Sequence, residues 1–169
     1  MNLTVYFSKA GENFFPGGIR AVDKGNTAYA AEYVQKAVGG DLIEIVPSEG
    51  YPFDYKECAK RAKTEIDTAA RPEIKVNVED MGKYDVIYVC FPNWCGTAPM
   101  CVFTFLELYD LTGKKIALLC TNEGSGLANS EADLKKCCIG AEVVAGLSVK
   151  GHQVQESEAV IAAWAKGVQ

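Results

Sequence analysis

Short apolar runs alternate with stretches of helical periodicity along the whole chain. Leu3 to Phe7 is a β-type run. Between Thr27 and Val38 the apolar positions Ala28, Ala31, Val34 and Val38 recur on one helical stripe, with Glu32, Gln35 and Lys36 off it. Gly39-Gly40 ends that pattern, and Leu42-Ile43-Glu44-Ile45-Val46 reads as the next strand, closed by Pro47. Asp54, with Glu57 three residues on, predicts a capped helix running to about Ile66. Residues 67 to 82 carry no firm pattern. Val86 to Phe91 is the most strongly apolar run and predicts a central strand buried on both faces. A heavily buried helix follows from Met100 to about Tyr109, then a buried strand from Lys115 to Cys120. Ser130 opens a short helix containing Leu134, and Ala141 to Leu147 forms a fifth strand. Glu156 to Lys166 closes the pattern as a helix with acids first and a lysine last, which complements its dipole.

Five strands alternating with helices imply an α/β domain covering 1–169: a doubly wound five-stranded parallel sheet with helices on both faces. The expected strand order is 2-1-3-4-5. In such a sheet the ligand site lies outside the carboxyl ends of the strands, at the switch point between the first and third. The loops after Phe7, Phe91 and Cys120 are therefore the ones to read for chemistry.

Composition changes the picture chiefly by exclusion. The 169 residues suit one domain that needs no disulfide or metal to fold. The seven cysteines are odd in number, include no C-x-x-C and sit partly in apolar runs, so they are expected as buried free thiols. Cys137-Cys138 admits a vicinal disulfide, but two ordinary thiols at a helix end are the expected state. The β-type start lacks the marks of a signal peptide, and no apolar run is long enough to cross a bilayer, so the expectation is a cytoplasmic protein without membrane attachment. The single histidine, His152, has no ligand pattern around it, which argues against a metal site. A net charge of -5 with no basic block argues against a nucleic-acid partner. Lys60, Arg61 and Lys63 read as the solvated face of a helix.

The first loop runs from Ser8 to Gly25-Asn26-Thr27, where a helix begins. Free N–H groups at a helix start, with small residues and hydroxyls beside them, form an anion site. Ser8, Asn26 and Thr27 can donate to phosphate oxygens, with Lys9 as a cationic neighbour; the same Gly-Asn-Thr also serves as a plain helix cap. The second loop is Pro92-Asn93-Trp94-Cys95-Gly96-Thr97. Trp94 there is placed either to lie against a flat ring or simply to cover the sheet edge. Asn93, Gly96 and Thr97 favour the ring, because amides and backbone N–H groups suit a pyrimidine-like edge. The third loop, Thr121-Asn122-Glu123-Gly124-Ser125-Gly126, carries two glycines that permit close backbone approach. All three loops fall at one edge of one sheet.

Thr4-Val5-Tyr6-Phe7-Ser8, Gly25-Asn26-Thr27, Asp85-Val86-Ile87-Tyr88 leading into Pro92-Asn93-Trp94-Cys95-Gly96-Thr97, and Thr121 to Gly126 together resemble flavodoxins. The branch they resemble has a Pro-Asn-Trp-Trp-Gly-Thr second loop, and the likeness extends from Leu3 to Gly146. It implies a flavodoxin-like fold, noncovalent FMN and electron transfer. By the same resemblance Ser8, Asn26 and Thr27 match phosphate-loop positions. Pro92, Asn93, Trp94 and Gly96 match the loop beside the isoalloxazine, and Glu123, Gly124 and Ser125 the loop on its other side.

Two departures stand out. The family's phosphate loop is continuous, Ser/Thr-x-Thr-Gly-Asn-Thr, whereas residues 9 to 24 intervene here. Gly25-Asn26-Thr27 is the expected phosphate loop, with Ala10 or Gly11 left open as further contacts. Cys95 stands where a second tryptophan is common, which removes a stacking surface and brings a thiol toward the flavin. The inserted Phe14-Phe15-Pro16-Gly17-Gly18 is read as a glycine-flanked loop that covers the ring, meets a redox partner, forms a homodimer contact or packs back on the domain.

The chemistry expected is that of the cofactor, with no catalytic acid or nucleophile from the chain. Glu123 and the net negative charge are expected to lower the flavin's potential. A shuttle between redox partner proteins comes first, and an NAD(P)H-dependent FMN or quinone reductase is the alternative. A flavin-free binding module of the same fold ranks lower. A receiver-like signalling module requires an Asp where Pro92 stands and an acidic cluster where Ser8 stands, so it ranks last.

Overall fold

The computed structural model describes residues 1–169. Its centre is β1 (Asn2–Tyr6), paired in parallel with β4 (Asp41–Glu44) on one side and β5 (Val86–Pro92) on the other. β6 (Lys115–Asn122) and β7 (Glu142–Lys150) continue the sheet, giving the order β4-β1-β5-β6-β7 with every pair parallel. Counted along the chain these are the second, first, third, fourth and fifth parallel strands, the order predicted from the pattern. The switch point therefore falls between β1 and β5.

Successive side chains of a strand point to opposite faces, so each strand feeds two cores. On one face Leu3, Val5, Phe7, Ile87, Val89, Phe91, Ile116 and Leu118 pack with α3 (Met100–Glu107) and with Leu134 of α4 (Ser130–Lys135). On the other, Tyr88, Cys90, Ala117, Leu119 and Val149 pack under α1 (Asn26–Val38) and α5 (Glu158–Val168). α2 (Tyr55–Asp67) begins as predicted, with Asp54 accepting a hydrogen bond from the Glu57 N–H at 2.9 Å. No helix is long and apolar enough to cross a membrane. All seven cysteines are free, and Cys95 alone is exposed.

Three differences from the pattern reading bear on function. β6 runs on to Asn122, so Thr121 and Asn122 belong to the strand and only Glu123 to Gly126 form the loop. β7 extends to Lys150 and passes into a 3₁₀ turn, Gly151–Glu156, that carries His152 to the same sheet edge. The 9–24 insertion is an antiparallel hairpin, β2 (Gly11–Phe15) and β3 (Gly18–Val22), turning at Pro16-Gly17. It joins no strand of the main sheet. Phe15 packs inward at 4% exposure while Phe14 is 51% exposed, so the two inserted aromatics have separate roles.

Candidate functional site

β1 delivers Ser8 and Lys9 to the carboxyl edge, and the hairpin returns the chain to Gly25 directly beside them. A Cβ on Gly25 would lie 2.3 Å from Ser8 Oγ and 2.6 Å from the Lys9 carbonyl oxygen, so only glycine lets the two limbs of the loop touch. The insertion thus leaves the loop closed at its base. Ser8 Oγ accepts from the Ala28 N–H at 3.1 Å, which leaves its own proton free to donate. The amides of Asn26 and Thr27, first in α1, have no acceptor, and Gly25 supplies no side-chain cap. These donors and the positive end of a thirteen-residue helix face the same space. Thr27 Oγ1 meets Thr121 Oγ1 at 2.7 Å; whichever donates, one of the two hydroxyl protons remains available.

Lys9 borders the same space. Its ammonium donates to the carbonyls of Glu12 (2.9 Å), Ala10 (3.2 Å) and Phe53 (3.3 Å), and burial holds its pKa below the ordinary lysine value. It braces the hairpin from the edge of the cleft.

Beyond β5, Trp94 to Thr97 close a tight turn through reciprocal backbone bonds of 2.9 and 3.2 Å, with Cys95 at φ +54°. Trp94 stands edge-on to Tyr51 (centroids 4.7 Å) and Phe7 (5.2 Å). Tyr51 is in turn covered by the Arg61 guanidinium at 4.2 Å, and its hydroxyl donates to Glu65 at 2.7 Å. Burial is the main reason the Tyr51 hydroxyl is held well above its ordinary pKa. Arg61 is thus a clamp behind Trp94 rather than a solvated side chain: it also donates to the Gly50 and Glu49 carbonyls at 2.8 and 3.0 Å.

Two asparagines organise the remaining loops. Asn93 accepts from the Gly96 N–H (3.0 Å) and donates to the Gly126 carbonyl (2.9 Å), so its amide ties two loops together at the edge of the cleft. Asn122 accepts from the N–H groups of Gly124 (2.9 Å) and Gly126 (3.0 Å) and donates to Ser148 Oγ (2.8 Å). Glu123 turns toward the 3₁₀ segment, where its carboxylate accepts from the His152 N–H at 2.9 Å and meets His152 Nδ1 at 2.5 Å. Gly151 lets these groups pack closely: a Cβ there would lie 2.4 Å from Asn26 Nδ2 and 2.8 Å from Glu123 Oε1.

These elements enclose a cleft of about 380 Å³, within the size range of cofactor pockets. Of the residues singled out from sequence, Ser8, Lys9, Asn26, Thr27, Pro92, Asn93, Trp94, Cys95, Gly96, Thr121, Glu123 and Ser125 border it. Ala10, Gly25, Thr97 and Gly124 do not. Gly25 acts one layer back, and Thr97 Oγ1 donates to Asp133 at 2.9 Å. Ala10 is exposed beside Lys9, and Gly124 bonds Asn122. The hairpin adds Phe14, one of the two aromatics read from the insertion, together with Asn13, and α2 adds Tyr55, Cys58 and Ala62, which the loop motifs did not indicate. The hairpin is docked on α2 by the Glu12 N–H to the Phe53 carbonyl (3.0 Å) and by the Tyr55 N–H to Glu12 Oε2 (2.9 Å).

A family model described as Flavodoxin matches residues 21–167. The chain belongs to the flavodoxin family. The match begins inside the hairpin, so Ser8 and Lys9 enter the comparison only through structure. A Bacteroides eggerthii protein provisionally named a flavoprotein shares 32% identity at a TM-score of 0.72, over 95% of this chain and 97% of its own. A Bacteroides uniformis protein, also provisionally named a flavoprotein, shares 29% at 0.78, over 98% and 97%. A Lactobacillus acidophilus flavoprotein solved in complex with FMN shares the fold at 22% identity and a TM-score of 0.69, over 92% and 96%. Among curated proteins none matches this flavodoxin-family chain.

Proposed function

We propose that the cleft binds FMN noncovalently and that this protein carries electrons with it, as a member of the branch with a Pro-Asn-Trp-x-Gly-Thr loop. The observation that carries the reading is the pair of free amides at Asn26 and Thr27, set in one cleft with Trp94. The donor set fits a phosphomonoester: two backbone N–H groups, the Ser8 hydroxyl, one proton of the Thr27–Thr121 pair and the helix dipole, with the nearby Glu123 carboxylate engaged by His152. Charge-assisted hydrogen bonds of about 1.5–3 kcal/mol each supply much of the roughly 12 kcal/mol of a nanomolar complex. FMN supplies one- and two-electron chemistry when bound; the chain's part is to position it and set its electrostatic surroundings.

Trp94 is held upright by Tyr51 and Phe7 and borders the ring end of the cleft, with Tyr55 and Phe14 on the side of α2 and the hairpin. Glu123 places a carboxylate at the cleft edge that His152 holds still. Glu123→Gln is expected to raise the reduction potential; an equal or lower value in a redox titration counts against a role for this carboxylate.

The deciding experiment is FMN titration of the apoprotein, followed by flavin fluorescence and the visible spectrum. One-to-one quenching supports the reading, and a protein that ignores FMN refutes it. Turnover with NADH or NADPH and a quinone then separates a reductase from a shuttle between proteins.

A further inference from the structure

The free amides at the start of α1 have a carboxylate beside them. A Cβ at Gly151 would lie 2.4 Å from Asn26 Nδ2 and 2.8 Å from Glu123 Oε1, so Glu123 meets the first residue of α1 at one point of the wall. Asn26, Thr27, Glu123 and Gly151 all border the cleft. A lone carboxylate there opposes the attraction that the amides and the helix end exert on a phosphate. Its side chain is 13% exposed, so water screens that opposition only in part.

His152 is what stands against this charge. Its backbone N–H donates to Glu123 Oε1 at 2.9 Å and its ring Nδ1 meets Oε2 at 2.5 Å, so one residue holds both carboxylate oxygens. A neutral ring donates Nδ1–H and leaves the pair with one negative charge; a protonated ring leaves the pair neutral. No lysine or arginine shares the task. Lys9 donates to three carbonyls, Lys24 pairs with Glu32 at 2.6 Å, and Arg20 lies over the Phe15 ring at 4.2 Å. Asp23 of the hairpin, Tyr29 of α1 and Glu156 of the 3₁₀ turn border the same groove as His152, whose ring has its one hydrogen bond with Glu123. In the cleft the remaining titratable groups are Glu12, whose carboxylate accepts from the Tyr55 N–H, and Tyr55, Cys58 and Cys95.

We propose that His152 is a positioning residue for the cofactor phosphate: its imidazolium neutralises Glu123 and lets the phosphate dock on α1, and its neutral form leaves a carboxylate that weakens the docking. This rests on the flavin reading of the cleft and adds a proton to it. FMN and a proton on His152 each strengthen the binding of the other. Affinity for FMN therefore falls as pH rises through the range where histidine loses its proton, about pH 5 to 8. Riboflavin, which has the ring but no phosphate, escapes this dependence.

Apoprotein of wild type, His152→Gln and Glu123→Gln is titrated with FMN and with riboflavin by flavin fluorescence, from about pH 5.5 to about pH 8.5. The phosphate's own second ionisation, near pH 6, acts on all three proteins alike. His152→Gln is expected to match wild type at the alkaline end and to bind FMN about tenfold more weakly at the acid end. Glu123→Gln is expected to bind FMN about tenfold more tightly than wild type at the alkaline end. Riboflavin affinity stays level in all three. A purely structural role for His152 weakens FMN binding equally at both ends, and that result overturns the proposal.

Nuclear magnetic resonance of the wild type gives a second reading, because His152 is the one histidine of the chain and its imidazole signals stand alone. Adding FMN near neutral pH is expected to move them toward their protonated positions, and an unmoved ring overturns the proposal. If neither flavin binds, the cofactor reading falls by itself. Inorganic phosphate then replaces FMN in the same measurement, and the ring's response to it decides the role of His152.

Discussion

On the sheet side of the cleft, Asn93 and Asn122 tie the loops after β5 and β6 to one another and to β7 through half-buried or buried amides. On the hairpin side, Lys9 and Glu12 hold residues 11–22 to Phe53 and Tyr55 through bonds close to the surface, and Phe14 and Ile19 remain exposed. One side grows out of strands whose cores are already buried, so its loops inherit their positions. The other is an addition docked on α2 that joins no strand of the five-stranded sheet. The sheet side of the cleft is thus a direct consequence of topology, while the hairpin side shapes what else reaches the cleft.

Breaking the point where the two sides meet is expected to have the largest effect. Gly25→Ala forces Ser8 and Lys9 away from the start of α1 and is expected to weaken FMN binding at least 100-fold, about 2.7 kcal/mol. A titration showing less than a tenfold loss, with the circular dichroism unchanged, removes the pinched loop from the account. Asn122→Ala leaves loop amides and Ser148 without their partner and is expected to lower unfolding stability by about 2–3 kcal/mol. Urea denaturation measures this, and a change under about 1 kcal/mol denies that the sheet side is held by its amides.

Glu12→Ala frees the Tyr55 N–H and is expected to cost about 1 kcal/mol, confined to the hairpin. Hydrogen exchange should show β2 and β3 losing protection while β5 and β6 keep theirs; loss in all four would mean the two sides are one cooperative unit. The smallest effect lies beneath both sides. Thr4 is fully buried with an unpartnered hydroxyl, so Thr4→Val is expected to raise stability by about 0.5–1 kcal/mol. A lower unfolding midpoint would show that the hydroxyl has a partner in solution.

Local pattern alone determined the alternation of strands and helices, the order of the sheet and the edge where the site lies. Those properties follow from hydrophobic periodicity along a few residues and from the limited set of ways a parallel sheet can be wound. The same local logic marked Ser8, Asn26, Thr27, Trp94 and Glu123, because loop residues next to buried strands cannot move far from the strand ends. Only the tertiary structure decided what each of those side chains does. Lys9 also braces the hairpin, and Asn93 also ties two loops together, because carbonyls from distant segments reach them. The hairpin escaped the pattern because its inward side is nearly a single residue, Phe15, too little burial to show as periodicity. Tyr55, Cys58 and Ala62 escaped it because α2 reaches the cleft only through the docking of Glu12 and Phe53, a contact some forty residues apart in the chain. Adjacency of that kind is a property of the packed molecule, and short-range sequence carries no trace of it.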